Sequence, residues 1–183
     1  LFSNTHDILT GVWNRETILS FLNRQLARGS QAKPLSLLLV SLDLFKGIIE
    51  AHGPFAAEAV LREVAHRIRG SMRATDSVGR YGGKEFLIVA PACDSDSAWG
   101  AAERVRAAIS AQAVDVFASA IPITASVGIA TSNGNGNAPQ LLRAVEGAAY
   151  RAKRAGRNRV EIAELEELEK ESTAPARAAR TNA

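Results

Sequence analysis

Arg80-Tyr81-Gly82-Gly83-Lys84-Glu85-Phe86 lies between two short apolar runs, Ser77-Val78-Gly79 before it and Phe86-Leu87-Ile88-Val89-Ala90 after it. Two apolar runs around adjacent glycines read as a β-hairpin. The glycines are expected to supply the positive φ angles of a tight primed turn, and their bare backbone lets amides approach a bulky anion. Lys84 and Glu85 follow at once, and on a strand they face opposite sides. The tip is thus either a plain turn or a ligand-facing one.

Outward from the hairpin, the clearest element is Leu35 to Leu42, a nearly unbroken aliphatic run that predicts a central strand covered on both faces. It ends at Ser41-Leu42-Asp43, and ligands in α/β folds sit beyond such strand ends. Upstream, Leu1 to Leu9 reads as the end of an incoming helix, broken at Thr10-Gly11. A helix capped by Asn14 follows, with Ile18, Phe21, Leu22 and Leu26 at core spacing. A polar loop spans Gly29 to Lys33. After the central strand come a short helix, Leu44 to Ala51, and a longer one, Ala56 to Ser71, with Val60, Leu61, Val64 and Ile68 on one face.

Beyond the hairpin, Asp94 or Ser95 caps a helix over Asp96 to Ala111, whose Trp99, Ala102, Val105 and Ile109 are expected to face inward. Val114 to Ile123 suggests a minor hairpin, and Ile123 to Ala130 a core strand. Ser132 to Asn137 is a Gly/Asn-rich loop. Pro139 opens a last helix ending at Gly156, before a closing strand at Arg159 to Ile162. The expected division is 1–6 as incoming helix or linker, 7–163 as the domain, and 164–183 as a charged, Ala/Glu-rich tail.

Composition narrows the class. In 183 residues, 46% are hydrophobic, enough for one sizeable core. The single Cys93 excludes an internal disulfide and a cysteine metal cluster, and fits a reducing, cytoplasmic setting. No run is long and apolar enough to span a bilayer. A net charge of +3 without a Lys/Arg tract argues against nucleic acid but suits a small phosphorylated ligand. Lacking an initiator Met, the chain reads as a module of something larger.

The hairpin motif and three others in order resemble the GGDEF family, the diguanylate cyclases. They are Asp7-Ile8-Leu9-Thr10-Gly11-Val12-Trp13-Asn14-Arg15, Leu42-Asp43-Leu44-Phe45-Lys46, and Ala149-Tyr150-Arg151-Ala152-Lys153-Arg154-Ala155-Gly156-Arg157-Asn158. The resemblance runs from Asp7 to Ile162. It implies an α/β fold with a central, mainly antiparallel sheet surrounded by helices, and a reaction joining two GTP into cyclic di-GMP.

The same resemblance implies that key site residues are replaced. The family holds Mg²⁺ with two acids, at positions that here carry Ser41 and Lys84. A serine hydroxyl is a weak neutral ligand, and an ammonium repels the metal: two like charges about 4 Å apart interact by about 4 kcal/mol at an effective dielectric of 20. Guanine is read by an Asn and an Asp, where this chain has Ile49 and Glu58. Each base edge left unpaired costs about 1–3 kcal/mol. Lys153 and Arg157 match phosphate-contacting residues; at a spacing of four, on one helix face, they equally suit a helix C-terminus.

Arg73-x-x-Asp76, with Arg106 on the next helix, resembles the family's inhibitory product site for cyclic di-GMP. Arginine suits that role because one fork reads guanine or grips phosphate; the bland reading is a surface ion pair. The expectation is therefore a catalytically degenerate signalling module, its signature being Gly82, Gly83, Lys84, Glu85 and Phe86. It would bind cyclic di-GMP at Arg73, Asp76 and Arg106, and GTP weakly if at all. No cofactor is expected, Mg²⁺ entering only with residual cyclase activity through Asp43 or Glu85. The remaining alternative is a nucleotide-free domain that dimerises or docks other domains of a signalling protein.

Overall fold

The structure is a computed structural model describing residues 4–28, 33–132 and 137–163. Its centre is β1 (Leu35–Leu42), buried at every position. Each aliphatic side chain so buried contributes about 1.5–3 kcal/mol, which is why the run reads apolar on both faces. β1 pairs antiparallel with β3 (Glu85–Pro91) on one side and β6 (Ala125–Ser132) on the other. Outside these lie β2 (Ser77–Gly82), antiparallel to β3, and β7 (Val160–Ile162), parallel to β6. The order β2-β3-β1-β6-β7 makes a mainly antiparallel sheet.

Helices cover both faces. Leu38, Val40 and Leu42 meet α2 (Phe45–His52), α3 (Pro54–Ser71) and α4 (Ser95–Ser110) in one core. Leu35, Leu37 and Leu39 meet α1 (Arg15–Ala27) and α5 (Ala138–Arg154) in the other. Asn14 caps α1 through Thr17 N, and Asp94 caps α4 through Ser97 N. Gly128 lets α5 lie directly on β6, since a Cβ there would meet the backbone of Val145 and Ala149. β4 (Val114–Val116) and β5 (Ser119–Ile121) form the expected minor hairpin apart from the main sheet.

Several expectations are corrected. Residues 4–10 form turns and a bridge from His6 to Trp13, not a helix end. Trp99 is exposed: the buried residues of α4 are Ala98, Ala102, Val105 and Ile109, and the indole lies outside that stripe. Gly82 and Gly83 do not take positive φ. Gly82 instead ends β2 opposite Glu85, and its missing Cβ leaves room for the Glu85 carboxylate. The tail from 164, and most of both polar loops, lie outside the described residues.

Candidate functional site

The end of β1, the β2–β3 turn and the end of α5 converge on Asp43. This carboxylate is buried and fully engaged: it accepts from Thr124 Oγ1 and Ser126 Oγ at 2.7 Å each and from Asn158 N at 3.0 Å. Lys153 stands beside it, its Nζ 3.7 Å from Asp43 Oδ1 and donating to the Leu42 carbonyl at 2.9 Å. Burial pulls the Lys153 ammonium below its ordinary pKa; Asp43 opposes this, while Lys84 and Arg157 reinforce it. Three cationic side chains therefore share one field. Lys153 and Arg157 do not share a helix face, because α5 ends at Arg154 and Arg157 is in the left-handed region at φ 64°.

Ser41 faces Glu85 on one neighbouring strand and Ser126 on the other. Its hydroxyl is buried without a hydrogen-bond partner, which costs about 1–3 kcal/mol. Lys84 is exposed at the turn, and with Glu85, Phe45, Lys46 and Ile49 it lines a crevice of about 530 Å³. Ile49 presents an exposed aliphatic group there. Glu58 is exposed on α3, outside the residues lining this crevice.

The turn is held by a residue that sequence reasoning passed over. Arg80 donates to the Gly82 carbonyl at 3.0 Å and the Gly83 carbonyl at 2.7 Å, and pairs with Asp7 at 3.2 Å. Partial burial pushes the Asp7 carboxyl up, but bonds from Thr10 and the Arg80 guanidinium outweigh it and hold the pKa below its usual value. The Asp7-x-x-Thr10 spacing, with Thr10 bonding back through N and Oγ1, was the available signal. Tyr81 next to it is buried and donates to Glu146 at 2.5 Å; burial and that bond push its phenol up to about 12.

Arg73 and Asp76 come together as an intimate pair between α3 and β2. Arg73 Nη2 lies 2.9 Å from Asp76 Oδ1, and the Arg73 backbone amide donates to Oδ2 at 3.1 Å. Both line a cavity of about 570 Å³ with Trp13, Arg69, Met72 and Val78. Arg106 is not among the residues lining it. It pairs instead with Glu103 at 2.9 Å and donates to Asn158 Oδ1 at 2.8 Å. Cys93 is buried, as suits a packing residue.

The model of the family described as "Diguanylate cyclase, GGDEF domain" matches residues 4–159. The chain belongs to the GGDEF family. It is 35% identical over 158 residues to the diguanylate cyclase DgcP of Pseudomonas aeruginosa, a match covering 86% of this chain and 24% of that protein. It therefore spans about a quarter of that relative's length. The GGDEF domain of DgcB from Caulobacter crescentus, solved in complex with c-di-GMP, superimposes with a TM-score of 0.85 at 27% identity, covering 90% of this chain and 96% of that one. Diguanylate cyclase SiaD from Pseudomonas aeruginosa, solved with its activator SiaC, gives 0.84 at 31% identity, covering 87% and 62% respectively. These likenesses agree with the α/β architecture and its mainly antiparallel sheet. Among the described residues, no helix is long and apolar enough to cross a membrane.

Proposed function

We propose that this GGDEF domain is catalytically degenerate and works as a signalling module that binds cyclic di-GMP through Arg73 and Asp76. The observation that carries the reading is the cavity holding that pair, in a domain whose relative DgcB was solved with c-di-GMP. A cytoplasmic location suits such a module. Against turnover stands the donor set at the end of β1. A divalent cation such as Mg²⁺ needs hard anionic oxygens, yet Ser41 is neutral, Lys84 is cationic, and Asp43 is already held by three donors. The Leu42 carbonyl is taken by the Lys153 ammonium. No group of three or more His, Cys, Asp or Glu that would hold a metal occurs among the described residues. The residues present do not fit Mg²⁺.

Calorimetric titration with cyclic di-GMP and with GTP, each with and without Mg²⁺, tests the reading. Heat with cyclic di-GMP is expected, and product formed from GTP with Mg²⁺ or Mn²⁺ would overturn the degenerate assignment. A second reading, a docking or dimerising domain without nucleotide, is favoured by exposed Leu44, Ile49 and Phe55. It predicts no heat with either nucleotide.

A further inference from the structure

Of the arginines on α3, α4 and the turn before β2, only Arg69 and Arg73 line the cavity, and Arg69, Arg73 and Arg106 differ in what their forks are already doing. Arg73 commits Nε to both Asp76 oxygens, at 3.2 and 3.3 Å, and Nη2 to Asp76 Oδ1 and the Pro91 carbonyl. Only Nη1 remains uncommitted, so this guanidinium cannot also offer an outward bidentate fork without breaking its pair. Arg106 is committed through all three nitrogens, to Glu103 and Asn158. Arg69 lies in the last turn of α3, which ends at Ser71, and it lines the same cavity as Arg73, which follows the helix. Its exposed guanidinium forms no hydrogen bond or ion pair among the described residues.

A ligand built of guanines and phosphates asks for such forks, for guanine O6 and N7 and for phosphate oxygens. It also asks for a flat apolar wall. Met72 and Val78, with part of Trp13, give the cavity its apolar lining. We propose that Arg69, and not Arg106, provides the second guanidinium of the Arg73–Asp76 cavity and grips cyclic di-GMP. The inference rests on the reading of that cavity as a nucleotide site. Asp76, with its side chain 4% exposed, acts as the buried anchor that orients Arg73. Arg69 supplies the unencumbered fork.

The test is titration of cyclic di-GMP into wild type, Arg69→Ala, Arg69→Lys, Arg73→Ala and Arg106→Ala, with thermal midpoints checking the fold. Arg69→Ala is expected to weaken binding by on the order of tenfold or more, and Arg106→Ala to stay within about twofold of wild type. Arg69→Lys, which keeps the charge but not the fork, should fall between wild type and Arg69→Ala. Unchanged affinity in Arg69→Ala with loss in Arg73→Ala overturns this inference and leaves the cavity reading intact. Equal losses in Arg69→Ala and Arg106→Ala overturn the exclusion of Arg106. No binding by wild type overturns both the cavity reading and the inference.

Discussion

The Lys153 ammonium and the Asp43 carboxylate stand 3.7 Å apart at the junction of α5 and the end of β1. Lys153 also donates to the Leu42 carbonyl, and Asp43 receives the backbone amide of Asn158, so the pair ties the end of β1 to both the helix and the loop after it. The acid has become a joint of the fold. With three donors already on its oxygens, it offers little to a metal ion.

Removing the two partners should therefore have unequal effects. Asp43→Ala strands the Thr124 and Ser126 hydroxyls, the Asn158 amide and the Lys153 ammonium together, and is expected to cost about 3–5 kcal/mol. Lys153→Met leaves the carboxylate its three neutral donors and should cost clearly less. Urea denaturation of both variants checks this, and a larger loss in Lys153→Met would contradict it.

The Asp7–Arg80 pair should give the domain an acid-sensitive element. The folded-state pKa of Asp7 is lowered, from an ordinary value near 3.8. Its contribution is thus present above the unfolded value and is lost as pH falls through the folded one. Asp7→Asn should lower the thermal midpoint at pH 7, and the gap from wild type should close as pH falls below about 4. Because the pair is partly exposed, the effect is modest and shrinks in salt. A gap independent of pH would assign the loss to packing.

Much of the fold was legible because its signals are periodic. The short aliphatic run Leu35 to Leu42 reads as a strand covered on both sides, and the Asn14 and Asp94 caps announce their helices. What escaped depended on neighbours distant in sequence. The turn glycines suggested positive φ, but pairing of Gly82 with Glu85 sets that backbone. Lys153 and Arg157 share a helix face only if α5 continues, and it stops at Arg154. Arg106 and Arg73 each have an obvious acidic neighbour at spacing three, yet no pattern in the chain tells which arginine keeps a free fork. That depends on who lines the cavity, and Arg69 became visible only there.

Restoring the two acids should not restore an enzyme. Ser41→Asp with Lys84→Asp places two carboxylates where the family resemblance implies metal ligands. Ile49 still presents an aliphatic group in the crevice, and Lys153 still holds the Leu42 carbonyl. An unread guanine edge costs about 1–3 kcal/mol per group, so activity should remain about 5- to 150-fold below that of a variant that also carries Ile49→Asn. Product formation from GTP by the double and triple variants decides it. Full activity in the double variant would show that Ile49 is harmless.

Lys84 should reverse the usual metal dependence of any GTP binding. It lies exposed at the turn and shares the field of Lys153 and Arg157, since both depress the Lys153 pKa. Unlike Lys153, it has no hydrogen-bond or salt-bridge partner among the described residues. Together these charges offset part of a triphosphate's charge directly, without a bridging ion. GTP bound this way is held weakly, because the apolar Ile49 side lacks donors for the base. Resting on exposed charge, it weakens steeply as salt rises through the range where the Debye length falls to about 10 Å. Mg²⁺ should then compete, because it covers the phosphate oxygens that the ammonium groups need. Lys84→Ala should lose affinity at low salt, whereas Lys84→Asp should bind less still unless Mg²⁺ is present. GTP titrations at low salt across a Mg²⁺ series, in wild type and both variants, make the comparison. Tighter wild-type binding with Mg²⁺, or no loss in Lys84→Ala, would show that Lys84 points away from the nucleotide and that the crevice is no longer a triphosphate site.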